Sequence, residues 1–244
     1  MTALLAVEGL TKRFGGVAAV DGCSFSVEQG SVTALIGPNG SGKTTAFNLI
    51  TGYLPADAGS VTFDGRTVRR PDPTRLARAG LARTFQRARV FPELTVLENL
   101  AVALQQPWKA LLRQALGPVE RGRAEELLEE FGLTRVARDP AGSLSFGQRK
   151  LLEFASLLMG EPHLVLLDEP AAGVNPVMVE TMERHIRDLH ARGLTFLIVE
   201  HDMHLVMRLS DTVIVLDHGS VIATGPPLEV QRDPVVLDAY LGVE

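Results

Sequence analysis

The chain is predicted to fold as an α/β protein with a mostly parallel sheet, helices on its faces and an inserted helical segment. After Pro162, short apolar runs alternate with amphipathic segments in the order "HLVLLD", "VMVETMERHIRDLHARG", "LTFLIVE", "MHLVMRLS" and "DTVIVLD". This alternation is typical of parallel strands joined by helices. From about Arg87 to Met159 the pattern is mostly helical, which predicts an insertion of about seventy residues into one α/β core.

The N-terminal third is predicted to consist mainly of strands. "CSFSVEQG" alternates between polar and apolar residues, and "SVTALIG" is a short apolar run that ends at Gly37. A helix is predicted from near Gly42, and "GSVTFDG" is another strand bounded by glycines. Near the other end of the chain, "VIVLDHGSVIATG" is typical of a hairpin at the edge of a sheet.

Capping patterns locate helices within the insertion. Thr95 precedes Glu98 by three residues, which forms a capping box at the start of "TVLENLAVAL". The segment "RAEELLEEFG" is amphipathic and stops at Gly132. Ser145 and Gln148 form a second capping box, and the helix that they start continues through an apolar series.

Composition limits the class of protein. The chain has 244 residues, 45% of them hydrophobic and 22% charged, which suits a globular protein with a substantial core. A net charge of −5 gives no indication of nucleic-acid binding. Since Cys23 is the only cysteine, a disulfide or a cysteine-based zinc site within the chain is excluded, and a reducing compartment fits.

A membrane-spanning or secreted chain is not expected. The start, "MTALLAVEGLTKRF", lacks the basic-then-apolar layout of a signal peptide. The longest apolar runs have the length of buried strands and fall short of the ~18–20 residues of a membrane span. We therefore expect a cytosolic protein, or one held at a membrane only through a partner.

The stretch "GPNGSGKT" matches the pattern G-x-x-x-x-G-K-[ST] in full, between a predicted strand and a predicted helix. Glycines let such a loop curl so that backbone N–H groups surround phosphate oxygens at the positive end of the helix. Lys43 can reach the terminal phosphates, and Thr44 can ligate Mg²⁺. A glycine-rich turn with an incidental lysine is the alternative, which this context disfavours. The residues expected to bind the phosphates are Gly37, Pro38, Asn39, Gly40, Ser41, Gly42, Lys43, Thr44 and Thr45.

Two acids follow the buried run "HLVLL". Asp168 is predicted to lie at the carboxyl end of a strand, where open α/β sheets bind ligands, and it suits Mg²⁺ either directly or through water. Glu169 points in another direction and suits polarising a water for attack on the γ-phosphate. Two solvated acids at the end of a strand are the alternative, which the complete phosphate loop disfavours.

Two more polar residues end predicted strands. His201 could contact the γ-phosphate or orient the attacking water, although a lone histidine there is more often structural. Its spacing from His204 hints at metal, but no third ligand is near in sequence, so a metal site is discounted. Gln86, in "ARTFQ", could reach Mg²⁺ or the water through its amide oxygen and report the nucleotide state to the inserted helices; an ordinary surface glutamine is the alternative.

Together these motifs resemble the ATP-binding cassette (ABC) ATPases over nearly the whole chain. "GPNGSGKTT", "RTFQ", "LSFGQ", "LLDEP", "GVNP" and "VEHD" occur in the order of that family. The resemblance implies a P-loop NTPase fold in a single nucleotide-binding domain, 1–244. Its ATP-binding core and N-terminal antiparallel β subdomain would comprise 1–86 and 163–244, and its helical subdomain 87–162.

The resemblance also implies roles for individual residues. Phe14 matches the aromatic residue that stacks on adenine, upstream of the phosphate loop. Gln86 matches the loop that couples nucleotide to the transport partner. Glu169 matches the general base, and His201 matches the switch histidine.

The stretch "SLSFGQRK" matches the family signature imperfectly, because Phe146 stands where the signature has a glycine. Taken alone, it is a well-capped helix, although a helix N-terminus with a serine hydroxyl is also an anion site. In the family, Ser145, Gly147 and Gln148 match the residues that contact the γ-phosphate of ATP held by the other subunit. Asn175 falls in the inter-subunit loop, which commonly reads Leu-Asp.

The mechanism that the family implies requires ATP, Mg²⁺ and partners. Two cassettes close face to face around two ATP molecules, and the motion passes through the helical insertion to two membrane-spanning permease subunits. The second cassette is expected to be a different chain, with a homodimer as the alternative. A substrate-binding protein outside the cytoplasm would be an indirect partner. The chain would then lie on the cytoplasmic face of the membrane.

Several stretches look like the ATPases of branched-chain amino acid importers, in which an aromatic residue often replaces the first signature glycine. These are "FNLITGYL", "LARTFQRARVFPELTVLENL", "DEPAAGVNP", "VEHDMHLVM" and "DAYLG". The ATPases of urea or short-chain amide importers and the lipopolysaccharide-export ATPase share much of this sequence, so they remain alternatives for the type of transporter. Non-transport relatives usually carry two cassettes or a coiled-coil insertion, which are lacking here. A binding module without hydrolysis conflicts with intact Lys43, Asp168, Glu169 and His201.

Overall fold

The fold consists of two β-sheets with helices packed around them, seen in a computed structural model that describes residues 3–68, 70–84, 90–104 and 117–241. Within these ranges the strands are β1 Ala3–Phe14, β2 Val17–Glu28, β3 Val32–Ile36, β4 Ala58–Phe63, β5 Arg66–Val68, β6 Leu81–Arg83, β7 Leu164–Asp168, β8 Thr195–Val199, β9 Thr212–Asp217 and β10 Ser220–Gly225. The α-helices are α1 Lys43–Ile50, α2 Pro73–Arg78, α3 Val96–Ala103, α4 Pro118–Glu130, α5 Phe146–Leu158, α6 Pro176–Ala191, α7 Met203–Leu209, α8 Pro227–Val230 and α9 Pro234–Leu241.

The larger sheet has six strands in the order β10-β9-β3-β8-β7-β6. The neighbours from β9 to β6 pair in parallel, and only β10 is antiparallel, at one edge. Every residue of β3, β7 and β8 is buried, as expected for strands covered on both faces. The parallel sheet and the edge hairpin predicted from the sequence are therefore confirmed.

The smaller sheet is antiparallel, with its four strands in the order β2-β1-β4-β5. The hairpin of β1 and β2 turns between Phe14 and Val17, and Gly15 adopts a left-handed φ of 58° there. Tight hairpin turns need such positive φ values, which glycine adopts readily. This sheet is the N-terminal antiparallel part that the family resemblance implied.

Alternate residues of β7 belong to two different hydrophobic clusters, because successive side chains of a strand point to opposite faces of the sheet. Val165 and Leu167 face a cluster that also contains buried residues of α3, α4, α5 and α6. Leu164 and Leu166 face the opposite cluster, which the antiparallel sheet and α1 complete. The inserted helices are thus packed directly on one face of the central sheet.

Both predicted capping boxes are present at helix starts. The Thr95 hydroxyl accepts a hydrogen bond from the Glu98 amide at 3.2 Å, and the Glu98 carboxylate accepts one from the Thr95 amide at 2.7 Å. Ser145 and Gln148 make the equivalent pair at the start of α5. Helix α2, which the sequence reasoning missed, has Asp72 as its N-cap and Pro73 as its first residue.

Candidate functional site

Residues 37–42 form a tight loop between β3 and α1. Gly42 has a φ of 101°, and a Cβ there would lie 2.2 Å from the Ala19 carbonyl oxygen in β2. A Cβ at Gly37 would lie 2.0 Å from the Leu216 carbonyl oxygen in β9. At Gly40, with a φ of 84°, a Cβ would meet nothing within 4 Å. The loop is therefore packed tightly against the sheet on one side and open on the other.

Lys43 places its ammonium group against this loop. Its Nζ donates to the carbonyl oxygens of Gly37 at 2.8 Å and Pro38 at 2.9 Å, and lies 3.4 Å from the Ser41 hydroxyl. Burial lowers the pKa of Lys43, and the negative charge of Glu169 opposes that shift. The positive group beside an open, glycine-rich loop at a helix start fits an anionic ligand.

The hydroxyls that follow lie in the first turn of α1, where Thr44 is exposed and Thr45 is half-buried. Of the remaining loop residues, Pro38 is half-buried and Asn39 is exposed. All nine residues predicted to bind phosphate therefore lie in one short segment that joins the central sheet to α1. Their contacts with a nucleotide remain predictions.

Asp168 is the last residue of β7, and its side chain is only 5% exposed. Its Oδ2 accepts a hydrogen bond from Arg83 at 2.9 Å, and its backbone amide donates to the Thr84 hydroxyl at 3.0 Å. Arg83 also donates to the Asn48 side chain and the Thr51 hydroxyl, both at 2.8 Å. The sequence reasoning missed Arg83, although an arginine in the short strand of "ARTFQ" was a usable signal.

Glu169 has a φ of 48°, in the left-handed region that residues other than glycine rarely adopt. Such a conformation costs about 1–3 kcal/mol and is often found at functional sites. Its amide donates to the Val199 carbonyl oxygen of β8 at 2.9 Å, and its own carbonyl accepts from the Ala172 amide at 3.1 Å. The predicted general base thus sits on a strained turn that neighbouring backbone holds in place.

Glu200 joins the turn after Glu169 to the segment that carries His201. Its buried carboxylate accepts from the Ala171 amide at 2.9 Å through Oε1, and from the His201 amide at 3.0 Å through Oε2. The His201 side chain is 65% exposed, with Nδ1 3.9 Å from the Glu200 carboxylate. Glu200 was not predicted as a functional residue, although an acid directly after a fully apolar strand could have indicated one.

The start of α5 lies against the segment between β7 and α6. Ser145 is exposed, and its hydroxyl accepts from the Gln148 amide at 3.2 Å. A Cβ at Gly147 would lie 2.6 Å from the Met178 Cε, so Gly147 packs closely against the side chain of Met178 in α6. Phe146 points its ring toward Gly173, where a Cβ would lie 3.6 Å from the ring.

Asn175, the departure from the usual inter-subunit loop, caps α6. Its side-chain oxygen accepts from the Met178 amide at 2.9 Å, and Pro176 follows at the first helical position. Asparagine and aspartate are comparably good N-caps, so the substitution preserves the start of the helix.

The predicted adenine-stacking residue Phe14 lies apart from these contacts. Phe14 ends β1 with its side chain 52% exposed, and the Lys12 ammonium lies 5.8 Å from its ring centroid. The Asp57 carboxylate stabilises the end of β1, because it accepts hydrogen bonds from the Lys12 ammonium and from the Arg13 amide, both at 2.8 Å. Gln86 lies outside the described residues.

A groove with a volume of about 290 Å³ lies between the core and the inserted helices. Its walls come from α2 and β6 of the core and from the end of α3 and α5 of the insertion. Residues that line it include Tyr53, Leu76, Arg83, Ala103, Glu153 and Leu157. None of the helices within the described ranges is both long and apolar enough to cross a membrane.

A glycine-rich loop before α1 and acids at the ends of neighbouring parallel strands define a phosphate-loop nucleotide-binding protein. A family model described as ABC transporter matches residues 20–172. A second, described as branched-chain amino acid ATP-binding cassette transporter, matches residues 220–244. The chain therefore belongs to the ABC transporter family, as an ATP-binding cassette.

Full-length relatives and solved structures agree with this assignment. The chain is 40% identical to the high-affinity branched-chain amino acid transport ATP-binding protein BraF of Pseudomonas aeruginosa, over 98% of both chains. It is 38% identical to the corresponding protein LivG of Escherichia coli K12, again over 98% of each. The crystal structure of a nucleotide-free cassette from an ABC transporter aligns with a TM-score of 0.87 at 37% sequence identity. The ADP conformation of an ABC transporter cassette aligns with a TM-score of 0.88 at 38% identity. Each alignment covers 99% of this chain and 100% of the solved chain.

Proposed function

We propose that the chain is the ATP-binding and ATP-hydrolysing subunit of an importer for branched-chain amino acids. One observation carries the proposal: β3, β8 and β7 are adjacent and parallel, so the phosphate loop, His201 and the pair Asp168–Glu169 emerge from the same edge of the sheet. Residues from three distant stretches of sequence are thereby gathered at the edge where such sheets bind ligands.

The geometry supports a division of labour around ATP. The loop amides and Lys43 would hold the phosphates, and the exposed Phe14 would stack on adenine. Thr44 and Asp168 offer hydroxyl and carboxylate oxygens, the hard donors that Mg²⁺ prefers. When bound, Mg²⁺ would neutralise charge on the terminal phosphates. We assign Gln86 to the same ion by family resemblance.

Hydrolysis needs a group that takes a proton from the attacking water. Glu169 is half-buried and next to Asp168, and the backbone bonds to Val199 and Ala172 fix its direction. We assign it as the general base. His201, whose backbone is held by Glu200, would orient the water or the γ-phosphate from the next strand.

The signature faces outward and would serve a second cassette. Ser145 is exposed at the N-terminus of α5, where the helix dipole favours an anion. With Gly147 and Gln148 it would contact the γ-phosphate of ATP bound to the partner cassette. We propose a heterodimer of two related chains, with a homodimer as the alternative.

Coupling to transport would pass through two separate permease subunits. The groove between α2, β6, α3 and α5 has mainly apolar walls, which fit an apolar face of a permease segment. The cassette would then lie on the cytoplasmic face of the membrane. A substrate-binding protein on the other side would supply the ligand. The names of the full-length relatives and the family match over 220–244 support branched-chain amino acids as that ligand.

The test uses the transporter assembled with its permeases, partner cassette and binding protein in proteoliposomes. ATP-dependent uptake of leucine is expected, with no uptake of urea. Glu169→Gln should lower ATP hydrolysis by about 10²–10⁴-fold, because a general base typically contributes that much. The isolated variant should still bind a fluorescent ATP analogue. Unchanged hydrolysis in this variant would contradict the assignment of the base, and uptake of urea instead of leucine would contradict the substrate class.

A second variant distinguishes the surface offered to the partner's ATP from the nucleotide site of the chain itself. Ser145→Arg places a bulky cation in the surface offered to the partner and should abolish hydrolysis by the assembled transporter. ATP binding by the isolated chain should be retained. Loss of binding in the isolated chain would mean that Ser145 serves the chain's own nucleotide.

A further inference from the structure

Lys150 is a buried lysine that the mechanism above leaves without a role. It lies in the second turn of α5, and only 4% of the residue is exposed. Its Nζ donates to the backbone carbonyl oxygen of Glu169 at 3.3 Å and lies 3.5 Å from that of Pro170. A side chain of the signature helix therefore binds the main chain at the assigned general base.

The Glu169 backbone is held from both sides. Its amide is bound to Val199 in β8, and its carbonyl faces the Lys150 ammonium from α5. Because Glu169 has a left-handed φ of 48°, its conformation persists only where the surroundings fix it. Together with the Ala172 amide at 3.1 Å, the Lys150 side chain holds the carbonyl end of this strained residue.

The charges around Lys150 explain how an ammonium group can be buried there. Burial lowers its pKa, while the carboxylates of Glu153, Glu200, Glu169 and Asp168, in that order, favour the charged form. Glu153 lies on α5 itself, and Glu200 organises the segment of His201. The lysine thus sits among acids from three separate elements of the site.

Phe146 lies beside this contact. The Lys150 Nζ lies 5.8 Å from the Phe146 ring centroid, on the same side of α5 that packs against Gly173. The position where this chain departs from the family signature is thus in contact with the lysine. A ring at this distance can stabilise an ammonium group and keep water away from it.

We propose that Lys150, beside Phe146, is a positioning residue for Glu169: it ties the signature helix, which serves the partner's nucleotide, to the general base of the chain's own site. This rests on the proposed function of the cassette. A displacement of α5 at one nucleotide would be transmitted to the carbonyl of Glu169 at the other. Lys150 contacts neither nucleotide and acts only through the backbone of Glu169.

The experiment measures ATP hydrolysis by the assembled transporter in proteoliposomes. Lys150→Met keeps the length of the side chain and removes the ammonium group. We expect kcat to fall by about tenfold or more, since small displacements of catalytic groups are costly, with KM for ATP within about twofold. Lys150→Arg, which can still donate to both carbonyls, should restore most of kcat. Arg149→Met removes a charge from the same turn and should leave kcat within about twofold of wild type.

A double variant tests whether Lys150 acts through Glu169. In a Glu169→Gln background, Lys150→Met should cause no further loss of the residual rate, because residues that act as a unit are not additive. An equal loss in both backgrounds would overturn the proposal, as would an unchanged kcat or a change confined to KM. If Lys150→Met does not fold, ATP hydrolysis is measured with Phe146→Leu instead. A lowered kcat at unchanged KM would support the proposal, and a wild-type kcat would refute it. Absence of hydrolysis by the wild-type assembly would instead refute the proposed function itself.

Discussion

The buried ion pair of Arg83 and Asp168 should make a large contribution to stability. The two side chains are 6% and 5% exposed, and their closest nitrogen and oxygen atoms are 2.9 Å apart. Arg83→Met removes the guanidinium while keeping an unbranched side chain of similar length. It also removes the hydrogen bonds from Arg83 to Asn48, in α1, and to Thr51, the residue that follows α1.

The magnitude follows from the charge that is left behind. Breaking a buried pair by removing one partner typically costs about 3–5 kcal/mol, because the remaining carboxylate stays desolvated and unpaired. For a chain of this size, each 1 kcal/mol lowers Tm by roughly 2–4 °C. We therefore expect Tm of the isolated, nucleotide-free chain to fall by about 6–20 °C. The double variant Arg83→Met, Asp168→Asn should recover more than half of this, because it removes both charges of the pair and leaves neither one buried without the other.

The assay is thermal unfolding followed by circular dichroism at neutral pH. Arg208→Met provides the control, since Arg208 is 49% exposed and its partner Glu183 keeps a second ion pair, with Arg187 at 2.7 Å. Its Tm should be nearly that of the wild type. A Tm for Arg83→Met equal to that of the control would refute the reasoning, and so would a double variant no more stable than Arg83→Met alone.

Two further predictions concern the loop and the cysteine. Gly42→Ala should destabilise the nucleotide-free chain more than Gly40→Ala: both have positive φ, but only at Gly42 would the new Cβ meet backbone, the Ala19 carbonyl oxygen at 2.2 Å. Urea unfolding of the two variants measures this, and equal losses would contradict it. Burial raises the pKa of Cys23 to about 12, so in the folded chain it should react with a thiol reagent at pH 8 roughly 10³-fold more slowly than in urea. Labelling at comparable rates in both conditions would show that Cys23 is accessible.

The elements that sequence predicted well are those determined locally. The capping boxes at Thr95 and Ser145 join residues three apart, so their geometry is contained in the pattern. The strands β3, β7 and β8 are continuous apolar runs because both of their faces are buried. The missed helices α2, α8 and α9 are short, at six, four and eight residues, and give little periodicity. Each has a proline at its first position, which was the available signal.

The sequence predicts the polar residues at the strand ends of the site, but it does not predict the contacts that hold them. Motif spacing predicts Asp168, Glu169 and His201 as site residues because the chemistry requires those residue types at strand ends, and the structure places them at the ends of the neighbouring strands β7 and β8. The partners Arg83, Lys150 and Glu200 lie 85, 19 and 29 positions from the groups that they bind. Two of the three bind backbone atoms, which every residue possesses. Only the tertiary fold distinguishes such contacts from those of an ordinary buried polar residue.

These connections give a physical account of the phenylalanine in the signature. Ser145 is exposed at the helix start, whereas Phe146 turns toward Gly173 and Lys150 within its own chain. A large residue at position 146 therefore enlarges an intramolecular contact and leaves the serine accessible. Position 147 is packed more tightly, because a Cβ there would lie 2.6 Å from the Met178 Cε and the methionine side chain would have to move. Of the two adjacent signature positions, 147 is the more closely packed, and the chain carries its aromatic ring at 146, beside Gly173 and Lys150.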